Sequence, residues 1–418
     1  MKKALHDIKN TLSNNQKVVE NYFFMTILQI INSAFGILIY PFVIRKLGPG
    51  SYGIYVFAVS VATYFIGFIS FGFSFPALQA IVANKNDIHK RSEVVSAIFS
   101  AKLYLSIVST LIFCTLLYTV PIIRQHKVLF ILCFTQIFGE LLFPTWYFQG
   151  MQKMKIVTYI QLLFKVISLP FIFIYIHTPS DTCLYAIITS LTINLGGISA
   201  TLLLVYSEKI KLKIIPPRYL KGYLKDAIPF FWSSVTGIIK QESATIIIGT
   251  FLGMRDVALY DLANKIIVIP RLLTTSINGA LFPKIAANNN KESIRKIIKY
   301  ETYIGITISL LIITFGYWAI LLLGGDKMYS AYPLAVILSI TIWVWLVVGS
   351  YISFIFVPQN KYYYVSSNQL VALIVFFVLC IPGILLYPNA LTVVSSLTIS
   401  GIAEVAYCKY LIKKNKLL

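Results

Sequence analysis

Nine ionisable side chains stand where an apolar chain has least use for them. Lys102, Lys165, Lys240, Lys265 and Arg271 fall inside long hydrophobic stretches, together with Glu140, Glu242, Asp261 and Glu404. A charge at mid-bilayer costs roughly 2.5–3.5 kcal/mol on insertion scales. So many are tolerated only if they face water or one another. Lysine and arginine at that depth attract an anion, and arginine can grip a phosphate through two parallel hydrogen bonds. Carboxylates among them could carry a proton or a small cation. The chemistry available is binding and passage of charged groups. No nucleophile with a placed base is present.

Helix phase groups these residues. At 100° per residue, Asn264, Arg271, Thr275 and Asn278 share one narrow arc of the stretch 257–284, and the i,i+4 pair Asp261 and Lys265 widens it. Pro270 lies on the opposite face. Lys165 shares a face with Gln161 and Ser168, Glu140 with Gln136, and Lys102 with Ser106 and Ser109. Lys240 aligns with Ser233 and Gly237, while Glu242 points nearly away from it. The first apolar stretch adds Gln29, Ser33 and Gly36. The candidate path for an anion is therefore Arg271, Lys240, Lys165, Lys102, Arg45, Asn264 and Asn278. The candidate ion-coupling groups are Glu140, Asp261 and Glu242.

Each charge also has a plainer role open to it. Lys265 could simply neutralise Asp261, and Lys102 could snorkel to the interface. Glu404 stands near a span end, where a structural role suffices. Arg45 marks the exit of the first stretch, as an interfacial anchor or as a guard of the outer mouth. Arg271 is the hardest to explain away, being mid-stretch with Asp261 the one acid near its arc. Trp232, Trp343 and Trp345 could stack on sugars, but packing is the role expected of them.

The elements that position these residues follow from composition. Of 418 residues, 58% are hydrophobic and 12% charged, against about 25% charged in soluble domains. This is a polytopic membrane protein. Apolar stretches of helix-spanning length fall near 22–44, 53–83, 94–119, 128–149, 156–177 and 182–206. A second six fall near 227–252, 257–284, 301–324, 330–357, 363–387 and 389–411. Residues 1–21 are polar and basic, with no cleavage pattern after the stretch that follows, and read as the lead of a signal anchor. Alternate connections carry 25 and 6 of the lysines and arginines, which puts both termini in the cytoplasm. The expected division is a six-helix lobe over 1–208, a cytoplasmic linker over 209–226 and a second lobe over 227–418. Six spans per half is even, so the two lobes relate by a pseudo-twofold along the membrane normal.

A repeat supports that division. Leu47-Gly48, Tyr55 and Ala58 recur as Leu252-Gly253, Tyr260 and Ala263 at an offset of 205. Phe75-Pro76 and Ala83-Asn84 recur, with small gaps, as Phe282-Pro283 and Ala287-Asn288. The formal charge of +21 sits mainly in short connections, so it speaks for membrane orientation and not for nucleic acid. The five cysteines lie in apolar segments without CxxC spacing. The four histidines lack metal-ligand spacing, and no GxxxxGK[ST] phosphate loop occurs. A metal, another cofactor and a catalytic residue are therefore not expected.

Leu47-Gly48-Pro49-Gly50-Ser51-Tyr52-Gly53-Ile54-Tyr55, Phe71-Gly72-Phe73 and the echo from Leu252-Gly253 to Tyr260 and Pro283 carry a resemblance. The chain resembles the O-antigen and capsule repeat-unit flippases of the multidrug/oligosaccharidyl-lipid/polysaccharide exporter superfamily. The resemblance implies an all-α fold of twelve transmembrane helices, its two six-helix lobes forming a V like that of the multidrug exporters. It implies export of a polyprenyl-diphosphate-linked oligosaccharide, on an undecaprenyl carrier, from the cytoplasmic to the periplasmic leaflet of a bacterial inner membrane. It further implies alternating access, membrane lipids as surroundings, coupling to a proton or sodium ion, and polysaccharide polymerase machinery as a partner. A multidrug or cation antiporter of the same superfamily would want an acidic cavity, yet intramembrane bases exceed acids five to four. A polymerase or ligase would usually carry a large periplasmic loop, and the outward connections here are short. A major-facilitator transporter would carry a Gly-rich Asp-Arg signature, which 84–93 lacks.

Overall fold

In lipid, a backbone N–H or C=O finds no water, so an apolar stretch must satisfy its polar groups within itself, and the α-helix does so. A computed structural model of the protein describes residues 2–268, 270–271, 291–359 and 361–418. These residues form helices and connections, with no strand among them. Nine helical stretches among the described residues are long and apolar enough to cross a membrane. The protein is an all-α, multi-pass membrane protein.

Helix α1 (Lys2–Ser70) takes in the basic N-terminal segment, the first expected span and the second as far as Ser70. It is interrupted at Gly48, whose φ of 74° and ψ of 163° are non-helical. A second break, at Phe71 and Gly72 with φ of 42° and 68°, separates it from α2 (Ser74–Ala83). Glycine is required at 72 for space too: a Cβ there would lie 2.4 Å from the Phe231 nitrogen. Helix α3 (Ile88–Thr119) is capped by Asp87, whose carboxylate accepts from the N–H groups of His89 and Lys90. The expected span at 128–149 is not one rod. It is α5 (Lys127–Phe134), α6 (Gln136–Leu142) and α7 (Thr145–Gly150), preceded by the short α4 (Pro121–Gln125). Pro144, lacking an N–H, accounts for the gap between α6 and α7. Helices α8 (Met154–Tyr175) and α9 (Thr182–Tyr206) complete this half.

Helix α10 (Lys221–Phe251) ends at Gly253, whose φ is 111°. The glycines paired by the repeat, Gly48 and Gly253, thus both take a positive φ that side chains resist. Helix α11 follows over 254–268. Then come α12 (Lys291–Gly324), α13 (Ala331–Tyr351) with a π-helical continuation at Ile352–Phe356, α14 (Tyr362–Leu386) and α15 (Ala390–Lys414). The far part of the expected 257–284 span lies outside the described residues.

The chain gathers into two compact units. The first comprises residues 1–35, 62–176 and 183–235, and the second residues 36–61, 177–182 and 236–418. The first is built on a core of Phe73, just before α2, with Ile81, Ile98, Tyr147, Phe148 and Val157 from α2, α3, α7 and α8. The second contains a core of Ile294, Val347, Phe354, Phe356, Val405 and Cys408 from α12, α13 and α15.

Candidate functional site

The membrane-depth charges largely find one another. In the first unit, Lys102 on α3 donates to the Glu140 carboxylate on α6 at 2.8 Å and to its backbone oxygen at 3.2 Å. The Ser70 hydroxyl, at the end of α1, donates to the same carboxylate oxygen at 2.9 Å. Lys102 is only 4% exposed, so it does not snorkel out, whereas Glu140 keeps 33% of its side chain open.

In the second unit, Lys240 on α10 meets Glu404 on α15 at 2.9 Å. Asn368 of α14 donates to the other Glu404 oxygen at 3.1 Å. On α11, Lys265 bonds to Asp261 one turn earlier. Tyr52 donates to the same Asp261 oxygen at 2.8 Å, and Lys265 donates to the Tyr52 hydroxyl at 3.2 Å. The ammonium lies 5.1 Å from the Tyr40 ring and 5.7 Å from the Tyr52 ring, an arrangement in which aromatic faces attract a cation. Glu242 takes its hydrogen bond from Ser60. These pairings give Lys265 a carboxylate neighbour in Asp261 and Glu404 one basic partner in Lys240.

Two bases are held differently. Lys165 on α8 donates to the Asn32 side-chain oxygen, and Asn32 donates in turn to Gln161 at 3.4 Å. The Phe35 ring lies 5.1 Å from the ammonium. Among the described residues, no carboxylate comes within ion-pair distance of Lys165. The Arg271 guanidinium lies 3.8 Å from the centre of the Trp345 ring, so one of the inward tryptophans supports a cation instead of only packing. Arg45 donates to the Leu322 carbonyl at 2.8 Å, capping the last turn of α12, where a cation complements unsatisfied carbonyls. Asn264 is half-buried on α11. Asn278 lies outside the described residues.

Phase reasoning missed several partners. Asn32 shares a face with Gln29 and Gly36 three and four residues away and was findable by the same arithmetic. Tyr40, Tyr52, Ser70 and Asn368 carried no comparable signal. Glu301, placed at a span edge by hydropathy, is 2% exposed and accepts from Ser350. Counting it removes the excess of bases over acids at depth, which becomes five to five. No group of three or more metal-ligating side chains occurs among the described residues.

Known proteins share this architecture. A solved structure titled "Lipid II flippase MurJ, inward closed conformation" superposes with a TM-score of 0.72 at 13% identity, covering 94% of this chain and 87% of that one. An inward-facing multidrug resistance MATE family transporter of the MOP superfamily superposes at 0.66 with 14% identity, covering 94% and 95%. Two curated relatives carry the name "Putative O-antigen transporter". The one from Escherichia coli (strain K12) is 26% identical over 275 residues, 66% of each chain. The one from Shigella dysenteriae is 24% identical over 250 residues, 58% of this chain and 61% of its own. Both matches thus span just under two thirds of the relatives' length. The family model described as "Polysaccharide biosynthesis protein" matches residues 18–289, well over half of the sequence, and the chain belongs to that family.

Proposed function

We propose that this protein is a flippase for a polysaccharide repeat unit carried on a polyprenyl diphosphate, such as an O-antigen unit. It would move the unit from the cytoplasmic to the periplasmic leaflet of a bacterial inner membrane by alternating access, with both termini cytoplasmic. The family, the curated relatives and the fold of solved lipid flippases support this reading. The observation that carries it is Lys165: an ammonium inside an apolar helix that donates to the Asn32 amide oxygen beside the Phe35 ring, with no carboxylate within ion-pair distance among the described residues. A cation so placed gains most from an anionic visitor such as a diphosphate.

In this reading Lys165, Arg271, Lys240, Lys102, Arg45, Asn264 and Asn278 line the route, with the twelve-span, two-lobe arrangement divided at 209–226. Glu140, Asp261 and Glu242 are the groups that would couple a proton or sodium ion. Lys240 and Lys102 serve when their carboxylate partners are protonated or drawn away, which would tie cargo binding to the coupling ion. The polymerase machinery would receive the unit on the far leaflet.

The test is replacement of Lys165 by alanine, arginine and glutamine in a strain whose surface polysaccharide depends on this chain. K165A and K165Q are expected to lower surface polysaccharide by at least tenfold at normal protein abundance, and K165R to retain most of it. Unchanged polysaccharide in K165A would remove the central support of the proposal.

A further inference from the structure

The segment joining α9 to α10 is not a loose linker. Helix α3 has 32 residues, which at 1.5 Å per residue is about 48 Å, some 18 Å more than a bilayer's hydrocarbon core. Its surplus is the N-terminal part, and the chain over 207–216 runs beside it. Ser92, Ser96, Ser100 and Tyr104 recur every four residues, about 6 Å apart along the helix. Alternate residues of an extended chain recur at about 6.6 Å. The two periods nearly match, and the hydroxyls act as a neighbouring strand would. The N–H of Lys211 donates to Ser92, and its carbonyl accepts from Ser96. Lys213 is bracketed in the same way by Ser96 and Ser100, and Ile215 by Ser100 and Tyr104, at 2.8–3.4 Å.

The near end is pinned by a buried acid. The Glu208 carboxylate accepts from Lys153 and from the Tyr147 hydroxyl, with Arg91 at 3.9 Å. Ile210 and Leu212 turn into the core. Lys209, Lys211 and Lys213 are left exposed, and among the described residues no carboxylate comes within ion-pair distance of them. The exposed acids of this neighbourhood are Glu93 and Asp226 alone among the described residues of 84–93 and 207–226, apart from Asp87 at the α3 cap. Successive bonds move from Ser92 to Tyr104 as the strap advances, so the chain descends toward the membrane. The order along the chain is Lys209, Lys211, Lys213 and then Ile214, which is 67% exposed.

We propose that this strap is a rigid docking surface for anionic phospholipid headgroups, with Lys209, Lys211 and Lys213 on the phosphates and Ile214 at the acyl boundary. An acidic protein or a nucleic acid would satisfy the lysines but leave Ile214 in water; a lipid surface satisfies both in the order in which the chain presents them. The ladder fixes the backbone of Lys211 and Lys213 in advance, so binding need not order that part of the chain.

The test titrates the purified full-length protein in detergent with phosphatidylglycerol or phosphatidylcholine and counts bound lipid by native mass spectrometry. The unmodified protein is expected to prefer phosphatidylglycerol, less so as salt rises. The K209Q/K211Q/K213Q variant is expected to lose affinity for phosphatidylglycerol by on the order of a hundredfold at low salt, about fivefold per lysine. Its affinity for phosphatidylcholine should stay unchanged. S96A/S100A keeps every charge but loosens the ladder, and several-fold loss of the preference is expected. Retained phosphatidylglycerol affinity in the triple variant would overturn the proposal, as would equal loss for both lipids or equally tight binding of a polyglutamate peptide by the unmodified protein. An unaltered preference in S96A/S100A would overturn the display role of the ladder.

Discussion

The Lys102–Glu140 pair makes an asymmetric prediction. Lys102 is 4% exposed and Glu140 33% exposed, so the two partners differ in what happens when each is left alone. Glu140→Gln leaves an uncompensated ammonium in the protein interior, with only the neutral glutamine amide oxygen and the residue 140 backbone oxygen, 3.2 Å away, as acceptors. Breaking a buried pair in this way costs about 3–5 kcal/mol. Lys102→Met leaves a carboxylate that still accepts from Ser70 and is 33% exposed. That loss should approach the cost of an unsatisfied polar group, about 1–3 kcal/mol. The double variant removes both charges and should recover much of the Glu140→Gln loss, giving a coupling energy of about 1–3 kcal/mol. Thermal unfolding in detergent, followed by the fluorescence of tryptophans that include the core residue Trp146, compares the four proteins. Losses that are equal, larger for Lys102→Met, or additive in the double variant would refute the argument that burial of the lysine sets the cost.

Three further outcomes follow from the geometry. Gly53→Ala places a Cβ 1.7 Å from the Met254 carbonyl oxygen, so folding yield should fall sharply, by at least the ~1–3 kcal/mol of ordinary overpacking. Gly48→Ala meets nothing within 4 Å but must hold φ at 74°; its penalty should be near the ~1–2 kcal/mol of a left-handed residue, and the two variants separate space from backbone strain in one thermal-shift experiment. Arg271→Lys and Trp345→Leu should each cost about 0.5–2 kcal/mol through loss of planar stacking, with the double variant no worse than the larger single one; additive losses would mean that the 3.8 Å contact carries no energy. At the α3 cap, backbone N–H groups of Lys90 and His89 hold the Asp87 carboxyl below its usual range. Its contribution is therefore present above the unfolded value near 3.9 and lost as pH falls through the lower folded value. Asp87→Asn keeps a capping oxygen and should flatten the acid limb of the stability curve below about pH 4, read by thermal unfolding across that range.

Much of the site was legible before any coordinates. Asp261 and Lys265 are four residues apart, and a helix brings such residues together whatever surrounds it. Gly48 announced a break because it stands in Leu-Gly-Pro-Gly between two apolar runs, and a break is what it makes. The other pairings were not legible. Phase arithmetic tells which way a side chain points round its own axis, but not which helix stands there. Lys102 finds Glu140 at a separation of 38 residues, Lys165 finds Asn32 at 133, and Lys240 finds Glu404 at 164. Tyr52 reaches Asp261 across 209. Glu301 was misjudged because hydropathy sees composition along the chain and cannot see α13 covering the start of α12.

The sequence by itself determined that the chain is a stack of apolar helices, in what order they come, and that charges lie at depth among them. Those properties follow from local arithmetic: an apolar segment in lipid must close its own hydrogen bonds, and residues three and four apart must share a face. Tertiary structure alone decided that three of five deep bases are already paired with carboxylates, that Lys165 meets none among the described residues, and that hydroxyls of α3 strap an extended chain into register. Those properties depend on which surfaces meet across the bundle, and that choice belongs to packing of the whole unit, in which any one residue has too small a share to announce it.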